Sequence, residues 1–159
     1  MSSFLQDVTD ELKSLVIATI PDDEATDDNV FRSLAAARMN LVERISGGDF
    51  MLPIWIIDSG DANPDERWGV DNESYRCPLR IIEIRQMDET EQQDVIQQHL
   101  GLIQTAIVED SHTNFQAIEH GSITTGPRDE TERAFLNGGV NVVAGTLAYR
   151  PGLLCGVMK

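Results

Sequence analysis

The sequence predicts an α+β fold, a single mixed, mostly antiparallel sheet with helices packed against it. Three observations predict it. Residues Tyr75 to Met87 are rich in β-branched and aliphatic side chains and stop abruptly at Asp88-Glu89-Thr90-Glu91. Apolar residues then recur with helical spacing from Val95 to Ile107, so a strand feeds a helix. A second amphipathic stripe opens the chain, and two further β-rich runs lie around Ile54 to Ile57 and Val140 to Tyr149.

In the first helix Ser2 or Ser3 is the cap, Phe4, Leu5, Val8, Leu12, Leu15, Val16 and Ile20 form the stripe, and Pro21 is the stop. An acidic linker, Asp22 to Asp28, follows. Asn29 to Ser33 passes equally as a short strand or as the start of a helix. From Leu34 the spacing of Leu34, Ala37, Leu41 and Ile45 predicts a helix that Gly47-Gly48 ends. Met51 to Asp58 reads as a strand, with Pro53 at its start or on an edge because it cannot donate to a ladder. Ser59 to Ser74 is a long polar excursion around Trp68, which is either a lid over its own core or an anchor for another subunit.

The strand from Tyr75 to Met87 places Ile82 and Ile84 on one face and Leu79, Ile81, Glu83 and Arg85 on the other. That pattern suits a strand buried along part of its length and wet at its end. Asp88 caps the next helix, with Glu91 in the capping-box position. Val95, Ile96, Leu100, Ile103, Ala106 and Ile107 face inward and the glutamines outward, while His99 reads as a boundary or surface residue. Gly101 within this helix costs about 1 kcal/mol relative to alanine. After a polar loop from Glu109 to Asn114, strand fragments at Phe115 to Ile118 and Ile123 are broken by Gly121. Gly126 to Glu132 is a turn. Gly138 to Arg150 is the closing strand, with Val140, Val142 and Ala144 on one face and Val143, Leu147 and Tyr149 on the other. Pro151-Gly152 ends it, leaving a C-terminal arm to Lys159.

These elements fit one domain of 159 residues, residues 1–159, whose 41% hydrophobic content supports a core. No apolar run reaches transmembrane length, and the first residues lack the pattern of a signal peptide, which reads as a cytosolic product. Cys77 and Cys155 have neither metal-site spacing nor a matching histidine cluster and read as reduced thiols. Twelve basic against 27 acidic residues give a net charge of −15, which argues against a conventional nucleic-acid binder. Three readings of that charge stay open: a soluble acidic domain, a surface facing DNA without holding it, and a mimic of nucleic-acid charge.

No motif marks a reaction centre. Gly121 to Gly126 spans a GxxxxG, but Pro127 and Arg128 stand where a phosphate loop needs lysine and a hydroxyl. His112 and His120, with Glu109, Asp110 and Glu119, can be sketched as a metal site, yet they lie eight residues apart across a loop. The expectation is therefore a protein that is not an enzyme and holds no cofactor or metal.

The order of elements carries more than any motif. An amphipathic helix, the strand Leu52-Pro53-Ile54-Trp55-Ile56-Ile57, a polar excursion and the strand Arg80 to Met87 feeding an acidic-capped helix come first. A variable loop and the closing strand Gly139 to Arg150 follow. From Phe4 to Arg150 this resembles the tail terminator, or tail completion, proteins of long-tailed bacteriophages and related minor tail and neck proteins. The resemblance implies a strand at Asn29 to Ser33. The helical pattern through Ile45 departs from the family's usual short connection. It also implies a virion protein, assembled in the host cytoplasm as a homo-oligomeric ring, typically a hexamer. Such a ring would contact the tail tube protein and a head-completion protein while DNA passes through. Six copies would bring about −90 of charge, and a lumen of that sign repels phosphate. Expected subunit or partner contacts are Trp68 with Arg67 on the long loop, and Val143, Leu147 and Tyr149 on the closing strand. The alternatives are an acidic monomeric inhibitor or charge mimic and a small-molecule-binding enzyme domain.

Overall fold

The computed structural model describes residues 4–32, 37, 53–59, 63–64, 72–86, 92–117, 120–126 and 142–158. Among them are two long helices, α1 (Phe4–Thr19) and α2 (Gln92–Glu109), and seven strands. The strands are β1 (Val30–Phe31), β2 (Ile54–Ser59), β3 (Asn63–Pro64), β4 (Asn72–Gln86), β5 (Phe115–Gln116), β6 (Ser122–Gly126) and β7 (Val142–Met158). All seven join one sheet. β1 runs parallel to β2, and every other pairing is antiparallel, so the sheet is mixed and mostly antiparallel as expected.

The long pair β4–β7 is the spine. Its register slips between Cys77 and Leu79: Cys77 pairs with Leu153 and Leu79 with Tyr149. Pro78 thus faces Arg150, Pro151 and Gly152 across the break. Neither proline can donate to a ladder, so the irregularity sits where the ladder has least to lose. β2 and β6 flank one half of this spine, and β3 and β5 flank the other.

Both helices cover one face of the sheet. Val8, Leu12 and Val16 of α1, with Ile20 just past its end, meet Ile96, Leu100, Ile103 and Ile107 of α2 above Trp55, Ile57, Leu79, Ile81, Leu147 and Tyr149. α2 packs tightly at Gly145, where an added Cβ would stand 2.1 Å from Ile96 Cγ2. The opposite face is also dry at its centre, since Ile54, Ile56, Ile82 and Ile84 are all buried. At its margin Arg80 pairs with Asp58 directly across β2 and β4.

Several expectations need correction. Pro151-Gly152 does not end the closing strand: β7 runs on to Met158, paired with Asn72–Cys77 and with β5, so the predicted arm is part of the sheet. The extra residues are absorbed in the register slip. The excursion after β2 contains the short strand β3. Glu83, expected towards the wet end of β4, is fully buried. The open question at Asn29 to Ser33 resolves to strand at Val30–Phe31. Of the helix expected from Leu34, Ala37 is helical and buried, and the rest lies outside the described residues.

Candidate functional site

Among the described residues, a group of buried ionisable side chains forms where three elements meet on the helix-covered face. β4 supplies Glu83 and Arg85, two residues apart and therefore on one side of the strand. β2 supplies Trp55, register partner of Glu83. α2 brings His99 down from above. The loop after α1 brings Glu24, because Asp22 and Asp23 take left-handed backbone angles (φ 62° and 55°) that turn the chain back. Asn29 fixes that loop: its side-chain amide donates to the Glu24 carbonyl at 2.6 Å and the Pro53 carbonyl at 3.1 Å, and its oxygen accepts from Thr26 N at 2.7 Å.

Within the group, His99 Nδ1 lies 2.5 and 3.2 Å from the two Glu83 oxygens. Its Nε2 stands 3.6 Å from Glu24 Oε2. Arg85 grips Glu24 with both terminal nitrogens, at 3.1 and 3.3 Å, and reaches to 3.9 Å from Glu83. Burial pushes the Glu83 carboxyl above its usual range, against the hydrogen bond and charge of His99 and the charge of Arg85. Glu24 adds to the upward push. The Trp55 ring sits 6.2 Å from His99, and its buried Nε1 finds no acceptor among the described residues, a cost of about 1–3 kcal/mol.

Both imidazole nitrogens face carboxylates. The group ties the α1–β1 loop and α2 to β4. Sequence reasoning missed it because His99 falls on the boundary of the α2 stripe. The signal present was Glu83 sharing a strand face with Leu79 and Ile81, which called for a buried partner.

Of the histidines in the metal sketch, His112 is held within the fold. His112 Nε2 bonds the Ile107 carbonyl at 3.0 Å, its ring stacks on Phe115 at 4.2 Å, and Glu11 stands 3.9 Å from Nδ1. His120 is exposed, and among the described residues no three acidic, histidine or cysteine side chains gather as a metal site. Glu119 lies outside them. A shallow depression of about 360 Å³ beside His112 and Phe115 is lined mostly by polar groups.

The expected contact residues divide. Trp68 and Arg67 lie outside the described residues. Val143 pairs with Arg85 in β7, and its side chain is not described. Leu147 and Tyr149 are 0% and 1% exposed inside the core of the single chain, which removes them from any surface a second copy can reach. Their face of β7 is filled by α2. Tyr149 donates to Gln104 Oε1 there, and burial pushes its hydroxyl up to about 12.

A scan against protein-family models finds no match for the chain, and a search of curated proteins finds no significant match.

Proposed function

We propose that the chain is a ring-forming structural protein of a phage neck, a tail terminator that caps the tail tube and joins it to head-completion proteins while DNA passes. The observation that carries this reading is the order of elements. An amphipathic helix precedes a Pro53-led strand, a long strand feeds α2, and a long closing strand pairs with it. The net charge of −15 supports it, since a bore of that sign lets a phosphate backbone slide. The buried charge cluster around Glu83 has the make-up of a structural clamp. Among the described residues no helix is long and apolar enough to cross a membrane. The ring belongs in the virion, and its contacts with the tube and the head-completion protein lie on opposite faces.

Purified chain, alone and mixed with a tail tube protein, examined by electron microscopy and mass photometry, tests the proposal. The expected result is closed rings of six copies, formed alone or on tube ends, that stop tube growth. A chain that stays monomeric on tubes, or a ring whose bore is lined by lysine and arginine, would overturn it. The net charge also favours a second reading, a charge mimic, which predicts a monomer or dimer that captures a basic protein in the same experiment.

A further inference from the structure

His99 stands between two unlike carboxylates. Its Nδ1 lies 2.5 Å from Glu83, which has no exposed surface, and its Nε2 lies 3.6 Å from Glu24, whose side chain is 31% exposed. A neutral imidazole carries one N–H, so its other nitrogen then turns a lone pair toward a carboxylate. An added proton, on the ring or on a carboxyl, removes that conflict. Charge balance points the same way. Beside a neutral imidazole, Glu24, Glu83 and Arg85 leave one negative charge in excess, and a buried excess charge is costly. His99 from α2, Arg85 from the same strand and Glu24 from the loop are the charged groups acting on Glu83; Trp55 from β2 and Gly145 from β7 bring none. Lys13, Arg32 and Arg80 pair elsewhere, with Asp27, Asp10 and Asp58.

We propose that this cluster is a proton-operated latch on the loop after α1. With one proton shared by Glu83 and His99, Arg85 holds Glu24 and the loop stays down. When that proton leaves to water, Arg85 turns to Glu83 and Glu24 lets go. The guanidinium is placed for this exchange: it grips Glu24 at 3.1 and 3.3 Å and already stands 3.9 Å from Glu83. Of the two acids Glu24 is the one able to leave, because it borders solvent and Glu83 does not. A charged Glu83 in the dry interior needs the guanidinium more than a partly wet Glu24 does. Burial, which pushes the Glu83 carboxyl up against the pull of His99 and Arg85, keeps the shared proton in place beyond the usual carboxylate range.

What the latch releases is bounded. Ala25, 3% exposed, and Asn29, which bonds the Glu24 and Pro53 carbonyls, also seat the loop. The change is therefore in the fraction of time the loop is open, not in the fold. Opening reaches β1, because Val30 N donates to Thr26 O at 3.2 Å and Trp55 N donates to Asn29 O at 2.9 Å. The proton thus sets how firmly β1 is held against β2, and β1 is the last strand on that side of the sheet among the described residues.

Hydrogen exchange of the purified chain from about pH 6 to about pH 9, each rate referred to the unstructured peptide at that pH, tests the latch. In wild type the amides of Thr26, Asn29 and Val30 should lose protection as pH rises. The loss should reach up to about tenfold per pH unit, the limit for an opening coupled to one proton. Amides of α2 should keep their protection. Glu83→Gln leaves Arg85 no charged rival to Glu24, so the loop should stay closed at the alkaline end. Glu24→Gln removes the carboxylate that Arg85 grips, so the loop should be open throughout, without pH dependence. Wild-type loop protection that is flat with pH, α2 amides that open in step with the loop, or a Glu83→Gln chain that opens as wild type does would each overturn the proposal. Should Glu83→Gln fail to fold by circular dichroism, Glu24→Gln decides. Loop protection in that variant equal to wild type across the range sinks the latch, and uniformly low protection upholds it.

Discussion

Glu83 is a carboxylate with no exposed surface, held between a histidine and an arginine. Removing one partner from such a group costs more than the pair contributes, because the remaining charge stays in the dry interior. His99→Leu is therefore expected to lower stability by about 3 kcal/mol, read from urea unfolding. The pH sign follows from burial. The folded-state pKa of Glu83 lies above its ordinary value of 4.5, so its contribution to stability is fully present below that value and is lost as pH rises through the raised one. Glu83→Gln keeps an acceptor and removes the titration. The difference between its melting-temperature profile and that of wild type should widen in the variant's favour above the usual carboxylate range. A constant difference would contradict the assignment. Such a cluster was half-legible beforehand: the strand face was read correctly, yet the partner came from a helix 16 residues later, and only tertiary packing brings His99 over Glu83.

The helices and central strands were the most legible elements because their burial follows a single period. The α1 positions Val8, Leu12 and Val16, Ile20 just after them, and the α2 positions Ile96, Leu100, Ile103 and Ile107 are all buried. What escaped were features set by pairing. Pro151-Gly152 has the chemistry of a terminator, but the neighbouring strand carries Pro78 at the same level, and the ladder resumes on the far side. The two glycines near α2 should respond in opposite ways. Gly145→Ala drives a Cβ into Ile96 and is expected to cost about 1–3 kcal/mol, with Ile96→Ala in the same chain recovering part of the loss. Gly101→Ala meets only open space and should raise stability by about 1 kcal/mol through helix propensity. Thermal melts of the three variants check both.

For the whole molecule, charge is the dominant long-range term. Any assembly of copies at −15 each works against mutual repulsion, which salt shortens from a reach of about 30 Å at 0.01 M to about 3 Å at 1 M. Self-association should therefore strengthen across that range, as measured by light scattering. Weakening with salt would instead point to ion pairs between copies. The register slip in the spine has a further consequence. With prolines on both strands at one level, the hydrogen-bond ladder divides into a stretch carrying β2 and β6 beneath the helices and a stretch carrying, among the described residues, only the short β3 and β5. The second stretch is expected to open on its own while the first stays shut. Limited proteolysis under native conditions should accordingly cut within Asn72–Cys77 or Leu153–Met158 and leave the helix-bound segment intact.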